Sequence, residues 1–335
     1  MPPSVFCMSP VLRIFARADR FTIGIIISVI LGICLPCSGN MAVGFDWLTN
    51  AAIVLLFYLY GVKLSRESVI AGLLNWRLQL IVFAFTFVFF PLVMPLLRPM
   101  FEPLVGGALF MGLVYVACLP STVQSSIAFT AVAGGNVPAA VCSASVSSLL
   151  GVFLTPLLAG LLFTGTSTTG AQVGLDTILQ ICYQILLPFV AGQLSRRWLR
   201  QWVEQHKGLI KWNDQGTIWL VIYTSFSNAT ANGYWQLLAW HHLLGLIVVC
   251  AIFLCITFVA TYYSSKWMGF NREDRITIVF CGSKKSLAVG APMMLAIFGE
   301  LDNNLLLPLM VFHQVQLMAC AQLARLWQQK AENNA

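Results

Sequence analysis

Two adjacent lysines, Lys284 and Lys285, lie in the middle of a segment that carries no other charge. Residues 276–283 before them and 286–299 after them are uncharged, and the whole segment has about the length that spans a bilayer. A charged lysine at the centre of a membrane helix costs about 2.5–3.5 kcal/mol on insertion scales, and intramembrane charges often mark a functional site. The lysine pair is therefore the first candidate for chemistry.

Few kinds of group could stabilise this charge. We place all twelve acidic residues in loops or termini, so a salt bridge to the lysines is not expected. Three alternatives remain: carbonyl groups at a broken helix end, an anionic ligand, or loss of the proton, which burial favours for lysine. A fourth alternative is structural, because one lysine could extend along its helix to the membrane interface.

A second interruption of apolar sequence occurs at residues 118–126, CLPSTVQSS. Pro120 lies among polar neighbours in this segment, and Gly282 lies among polar neighbours next to the lysines. Both positions are flanked by apolar runs. Unwound backbone at membrane depth persists only where protein or water satisfies it, so two such breaks indicate a transport site. An ordinary kink at Pro120 and a packing role for Gly282 would explain either break alone. The predicted contact residues are Thr122, Gln124, Ser125, Ser126, Ser143, Gly282, Ser283, Lys284, Lys285, Ser286, His313 and Gln314.

The elements that must position these residues are membrane helices. Of 335 residues, 59% are hydrophobic and 9% are charged, and the mean hydropathy is +0.82. Soluble domains carry about a quarter charged residues, so the composition predicts an all-α polytopic membrane protein. Uncharged runs that each suit one helix cover 21–45, 47–62, 78–97, 177–195 and 303–324. Longer runs and the segment around the lysines bring the predicted number of transmembrane helices to ten.

The charges of the predicted loops are distributed unequally. With the N-terminus inside, sixteen lysines and arginines fall on the inner side and only Arg98 on the outer side. This positive-inside bias predicts an inner (plasma) membrane protein with both termini in the cytoplasm. The net charge of +7 therefore reflects topology, and no nucleic-acid partner is expected.

The predicted spans divide into two sets of five. Residues 1–166 hold the first set and residues 167–335 the second, which must run inverted because five is odd. The motifs of ATP hydrolysis (GxxxxGK[ST]) and of zinc proteases (HExxH) are absent, so we expect no enzyme and no cofactor. His313 alone is more typical of a hydrogen-bonded core residue than of a proton carrier.

The sequence resembles the bile acid:sodium symporter superfamily over nearly its whole length. Within it, the sequence is most similar to the SBF-like branch, which includes bacterial YfeH-type proteins and the seventh member of vertebrate solute carrier family 10. The stretches that carry the resemblance are 56–72, 119–137, 147–158, 277–292 and 307–317. The resemblance implies a BASS/NhaA-like fold: ten helices, an inverted 5+5 repeat, and broken crossing helices 4 and 9. It also implies a panel domain of helices 1, 2, 6 and 7 and a core domain of helices 3–5 and 8–10.

The resemblance also implies positions for sodium, and this sequence alters most of them. Ser125 and Ser126 fall where sodium-coupled relatives have a Ser-Asn ligand pair, which leaves a degenerate sodium site and no metal site that we assign. Phe280 takes the place of a glutamate that serves both ions. The remaining implied ligand positions fall on Thr86, Ala140, Ala144 (with Ser143 adjacent) and Lys284.

A lysine placed where sodium would lie can supply the same charge. We therefore predict a secondary transporter that moves a small organic anion through the lipid bilayer, with Lys284 in the place of a coupling sodium. A sodium-coupled symporter, as in the wider family, is the first alternative. A non-transporting membrane regulator or scaffold that works through its basic loops is the second.

The charge bias leads to a labelling prediction. Cysteines introduced at Gly39 and Ser167 should react with an impermeant thiol reagent added to intact cells, whereas cysteines at Glu204 and Glu332 should not. Labelling is measured relative to the parent chain. Reaction at Glu204 in intact cells would reverse the predicted orientation.

Overall fold

The computed structural model describes residues 20–63, 75–163, 175–298 and 303–332, and every regular element in these ranges is a helix. The helices are α1 (Arg20–Cys34), α2 (Asn40–Lys63), α3 (Trp76–Leu96), α4 (Arg98–Val105), α5 (Gly107–Cys118), α6 (Gln124–Val132), α7 (Val137–Phe163), α8 (Leu175–Gln205), α9 (Lys207–Ala231), α10 (Tyr234–Leu237), α11 (Trp240–Trp267), α12 (Arg272–Gly282), α13 (Leu287–Phe298) and α14 (Asn303–Glu332). Within α3, Phe85–Phe89 forms a π-helical turn.

Several of these helices have the length and composition of membrane spans. Five are long and apolar enough to cross a membrane: Asn40–Val62, Trp76–Leu96, Val137–Phe163, Trp240–Trp267 and Asn303–Lys330. Ile23–Cys34 and Gly107–Cys118 are shorter apolar helices. Large apolar side chains such as Trp240 and Trp267 are exposed on the molecular surface, where lipid would cover them. The described helices are those of a multi-pass membrane protein, and the number of ten spans stays a prediction.

The first uncharged run differs from the prediction of one helix over 21–45. In the structure α1 ends at Cys34 and α2 begins at Asn40, with Pro36 and Gly39 between them. Gly39 has a positive φ of 61°, which glycine adopts without steric cost. Because α2 starts before the predicted residue, Asp46 lies in its second turn. Glu102, Glu204 and Asp214 also lie within helices, so the expectation that all acidic residues lie in loops or termini is wrong.

Four helices, α1, α2, α8 and α9, form one packing group. Helix α2 packs along α8, and α9 contacts both α1 and α2. The contact between α2 and α8 relies on two glycines, since a Cβ at Gly61 would overlap the Phe189 carbonyl and one at Gly192 would overlap the Tyr58 carbonyl. Small residues allow this close approach of two backbones, as in many membrane helix pairs.

The remaining long helices pack around the interrupted pairs α5–α6 and α12–α13. Helix α14 contacts α5, α6, α11 and α13, while α12 contacts α3, α7 and α11. The two packing groups meet where α8 touches α7 and α13, and where α9 touches α13 and α14. Near the C-terminal end of α9, Ser225 donates to Asn303 Oδ1 and Tyr234 donates to Asn304 Oδ1, each at 2.8 Å. These two hydrogen bonds tie the groups together at one end.

Candidate functional site

Both interrupted helices stop where the sequence predicts a break. Helix α5 ends at Cys118 and α6 begins at Gln124, while α12 ends at Gly282 and α13 begins at Leu287. At the first break, Leu119 is extended (φ −78°, ψ 153°), because a following proline disfavours the helical conformation. The second break has no proline, and its cause is tertiary.

The two breaks bind each other directly. The Ser286 amide donates to the carbonyl of Pro120 at 2.9 Å, and the Ser126 hydroxyl donates to the carbonyl of Phe280 at 3.2 Å. The Tyr115 hydroxyl on α5 reaches the Gly290 carbonyl on α13 at 2.7 Å. Backbone groups that each break removes from its helix are thus satisfied by the other broken helix.

Helices α7 and α14 supply further partners for the unwound backbone. On α7, Thr155 donates to the Cys118 carbonyl at 2.9 Å, and Ser147 accepts the Ser121 amide at 3.0 Å. On α14, the Gln316 side chain accepts the Lys285 amide at 2.9 Å and donates to the Lys285 carbonyl at 2.7 Å. The Gln316 side chain thus bonds to both backbone polar groups of one residue, as a neighbouring β-strand would, and fixes the backbone of the second break.

Lys285 places its ammonium in a cradle of backbone carbonyls. Its Nζ lies 2.7 Å from the Thr86 carbonyl, 2.7 Å from that of Ala117 and 2.8 Å from that of Leu119. The ammonium also lies 4.1 Å from the centre of the Phe90 ring, a cation–π contact. An ammonium has three N–H donors, so all of them are used, although the side chain is completely buried.

The three carbonyls are available because helical geometry leaves them without donors. Ala117 and Leu119 lie at the C-terminus of α5, where carbonyls lack a partner and the helix dipole is negative. In the π-helical turn of α3, the Phe90 amide donates to the Phe85 carbonyl, and the next residue, Pro91, has no N–H. The Thr86 carbonyl therefore receives no amide from its own helix and bonds to the lysine instead.

Lys284 is equally buried but has entirely different surroundings. Its Nζ has no hydrogen-bond partner within the described residues and lies 4.1 Å from the centre of the Phe129 ring. The thiols of Cys281 and Cys320 and the imidazole of His313 are close enough to interact with it electrostatically. Of the adjacent lysines, Lys285 is thus fully hydrogen-bonded and Lys284 is not.

The structure brings some of the predicted site residues together around the breaks. The hydroxyl of Thr122 bonds to those of Ser125 and Ser126, at 2.9 and 3.3 Å. Gln316 links Lys285 to His313, whose Nδ1 lies 3.0 Å from the Gln316 amide nitrogen.

Other predicted residues contribute less to this arrangement. The hydroxyls of Thr86 and Ser283 bond to carbonyls one turn earlier in their own helices, and Ser143 is buried with no partner among the described residues. Gln124 is exposed and Gln314 is half-buried.

An aromatic cluster occupies the region where the resemblance implies a carboxylate. The Phe280 ring lies 6.0 Å from that of Phe129 and 5.5 Å from the indole of Trp327. Ala140 and Ala144, at the implied fifth-helix ligand positions, are completely buried. In the described part of the chain, no three His, Cys, Asp or Glu side chains lie close enough together to hold a metal ion.

Sequence reasoning missed the groups that bind the lysines. The site prediction did not include Phe90 or Phe129, whereas Gln316 was among the polar candidates of the last predicted span, and a search by side-chain type does not detect the carbonyls of Ala117 and Leu119. The missing N–H of Pro91 is the one feature of the sequence that could have indicated an orphaned carbonyl on α3.

Comparison with known proteins identifies relatives over almost the whole chain. Residues 19–329 match the SBF-like CPA transporter family. The chain is 52% identical to "Uncharacterized protein PA2026" of Pseudomonas aeruginosa over 95% of both chains, and 47% identical to "Putative symporter YfeH" of Escherichia coli over 96% of both. It is 28% identical to "Sodium/bile acid cotransporter 7" of Mus musculus over 90% of both. The Escherichia coli and Mus musculus relatives are named as a putative symporter and a cotransporter, not as enzymes.

The different surroundings of the lysines predict different effects of one substitution. Lys285→Met should lower the free energy of unfolding by about 3 kcal/mol or more, since each orphaned buried acceptor costs about 1–3 kcal/mol. Lys284→Met, which replaces an amine without a hydrogen-bond partner by an apolar group of similar length, should be neutral or stabilising. The measurement is thermal unfolding of the purified chain in detergent. Equal destabilisation by both substitutions would contradict the assignment.

Proposed function

Because the chain belongs to the SBF-like CPA transporter family, we propose that it is a secondary transporter of a small organic anion, in which a lysine replaces a coupling sodium. The observation that carries the proposal is the carbonyl cradle around the Lys285 ammonium. Backbone carbonyls arranged in this way can replace the hydration shell of an alkali cation. An ammonium in that position supplies the same charge.

The contacts refine which lysine replaces the ion. The sequence hypothesis gives this role to Lys284, whereas the hydrogen bonds favour Lys285 for the fixed charge. A satisfied ammonium has no donor left for a solute, so Lys285 would hold the breaks together rather than bind the anion. Lys284 has no hydrogen-bond partner among the described residues, and it would attract the anion when the helices around it separate.

Two features of the packing support alternating access. The contact of α2 with α8 has a counterpart in the contact of α9 with α1, as an inverted 5+5 repeat requires. The panel domain would be α1, α2, α8 and α9, and the core domain the helices around the breaks. These groups are tied at one end by the hydrogen bonds of Asn303 and Asn304, while a cavity lined by α2, α8 and α9 and by Gln124 of α6 lies near residues 207–214 at the other end of α9. Helix α9 has 25 residues and is about 37 Å long, so the two features lie far apart.

The positive-inside bias supports an orientation for this arrangement. The basic ends of α8 and α9 would lie in the cytoplasm, together with both termini, and the hydrogen-bonded end would face outward. The structure would then represent an inward-facing conformation in the inner membrane.

The geometry of the same site distinguishes this proposal from two alternatives. The names of the relatives, which include a putative symporter and sodium/bile acid cotransporters, favour a sodium-coupled symporter. Against it stand the lysine in the cradle and the aromatic cluster around Phe280. A non-transporting regulator or scaffold would not need two mutually bonded helix breaks.

The cation replacement can be tested by emptying the cradle. Lys285→Ala leaves the three carbonyls and space for an ion, so this variant should be more stable in sodium chloride than in choline chloride. Saturating sodium should raise its free energy of unfolding by about 2–3 kcal/mol. Wild-type thermal stability should respond equally to the two salts, and wild-type transport should persist without sodium. Obligatory sodium in the wild type would refute the replacement.

Alternating access can be tested at the hydrogen-bonded end. Ser225→Cys combined with Asn303→Cys places two thiols where side-chain oxygens now lie 2.8 Å apart. Oxidation should cross-link them and stop transport of whichever anion most stabilises the purified chain in a thermal-shift screen, and reduction should restore it. The single-cysteine variants, oxidised in the same way, provide the control. Undiminished transport by fully cross-linked protein would argue against opening at this end.

A further inference from the structure

A cavity of about 350 Å³ lies where α2, α6, α8 and α9 meet. The α8–α9 junction contributes most of its lining, and the exposed Gln124 contributes from the first turn of α6. Gln124 is adjacent to Ser125, whose hydroxyl bonds to Thr122 in the first break. The cavity therefore borders the start of the broken helix.

The charges of the lining are unequal. Four cations, Arg196, Arg200, Lys207 and Lys211, face two carboxylates, Glu204 and Asp214, which leaves an excess of two positive charges. Arg200 bonds to Glu204 at 2.8 Å, and its guanidinium lowers the pKa of that carboxyl, so Glu204 is ionised at neutral pH and counts fully in this balance.

Apart from Gln124, the rest of the lining is apolar. Val62, Val203 and Ile210 are buried in one hydrophobic cluster that forms part of the wall. Small-molecule pockets have volumes of about 300–1,000 Å³, so this cavity suits a ligand at the small end of the range. Two excess charges beside a short apolar surface match a ligand that has two anionic groups on a short hydrocarbon body.

We propose that this cavity binds a small organic dianion and delivers it to the first helix break. The inference rests on the proposed transport function and adds to it a substrate class and a loading site. Lys207 and Lys211, one turn apart on α9, bind one anionic group, and the arginines of α8 bind the other. Gln124 is then the first residue of the broken helix that the solute meets.

The same oxyanion chemistry is carried by an anionic lipid headgroup, and basic residues at a membrane surface can also serve topology alone. A phosphatidylglycerol headgroup carries one phosphate charge and a cardiolipin headgroup carries two, and both remain attached to their acyl chains. A soluble dianion is favoured because the cavity borders the helix break, to which a ligand attached to acyl chains could not move on. The experiment therefore includes lipid as a separate arm.

Succinate is the probe, and butyrate, which has the same number of carbons and one carboxylate, is its matched control. Thermal unfolding of the full chain is measured in phosphatidylcholine nanodiscs at pH 7.5 and constant ionic strength. Succinate should raise the unfolding midpoint of the wild type and butyrate should not. Lys207→Gln combined with Lys211→Gln should weaken the apparent succinate affinity at least about tenfold, or about 1.4 kcal/mol. Lys211→Arg alone, which keeps the charge, should retain binding.

Arg197→Gln is the control for charge removal, because Arg197 is an exposed neighbour of Arg196 that does not line the cavity. It should bind succinate like the wild type. An equal loss of affinity in Arg197→Gln, or an equal response to butyrate, would mean that the bulk charge of this surface acts and the cavity does not. Stabilisation by phosphatidylglycerol nanodiscs without any by succinate would assign the cavity to lipid. Sodium stabilisation of Lys285→Ala does not involve this cavity, so it tests the proposed function separately.

Discussion

A buried ammonium bonded to three backbone carbonyls joins the points at which three helices depart from regular geometry. Lys285 follows the C-terminal end of α12. Its ammonium bonds to the carbonyls of Ala117 and Leu119 at the end of α5 and to the carbonyl of Thr86 in the π-helical turn of α3. Each of these buried carbonyls would otherwise be an unsatisfied acceptor, which hydrocarbon cannot accommodate. The cost of burying one charge is thus offset by the satisfaction of three helix defects. The other hydrogen bonds between the breaks depend on this geometry.

The adjacent lysines show how a single step along the backbone separates a fully hydrogen-bonded amine from one without a hydrogen-bond partner among the described residues. Both lysines lie in the non-helical break between α12 and α13, where Lys285 extends towards carbonyls of α3 and α5 and Lys284 extends towards Phe129. The proposed mechanism uses both lysines. The Lys285 ammonium holds the two breaks together, and the Lys284 amine attracts the anionic solute. Phe280, in the place of the carboxylate that the resemblance implies, is consistent with that division, because a covalently attached cation needs no acidic ligand set to recruit it.

The proposed route of the solute follows the same distribution of charge. The basic cavity at the α8–α9 junction borders Gln124, and Gln124 begins the helix whose first turn holds the hydroxyls of Ser125 and Ser126. An anion attracted to the cavity would therefore move from solvated cations towards a buried amine. At the opposite end, the bonds of Asn303 and Asn304 hold the two helix groups closed.

The sequence by itself determined the class of protein and the positions of both breaks. Composition requires membrane helices, Pro120 cannot continue a helical hydrogen-bond pattern, and Gly282 with the polar run that contains the two lysines marks the second break. The sequence did not decide which lysine receives which partners, because those partners are backbone carbonyls and aromatic faces on α3, α5 and α6. Every residue type carries a carbonyl, so side-chain patterns do not reveal where one is orphaned. Only the packing of α12 against α3 and the bonds between the two breaks directed Lys285, rather than Lys284, into the cradle.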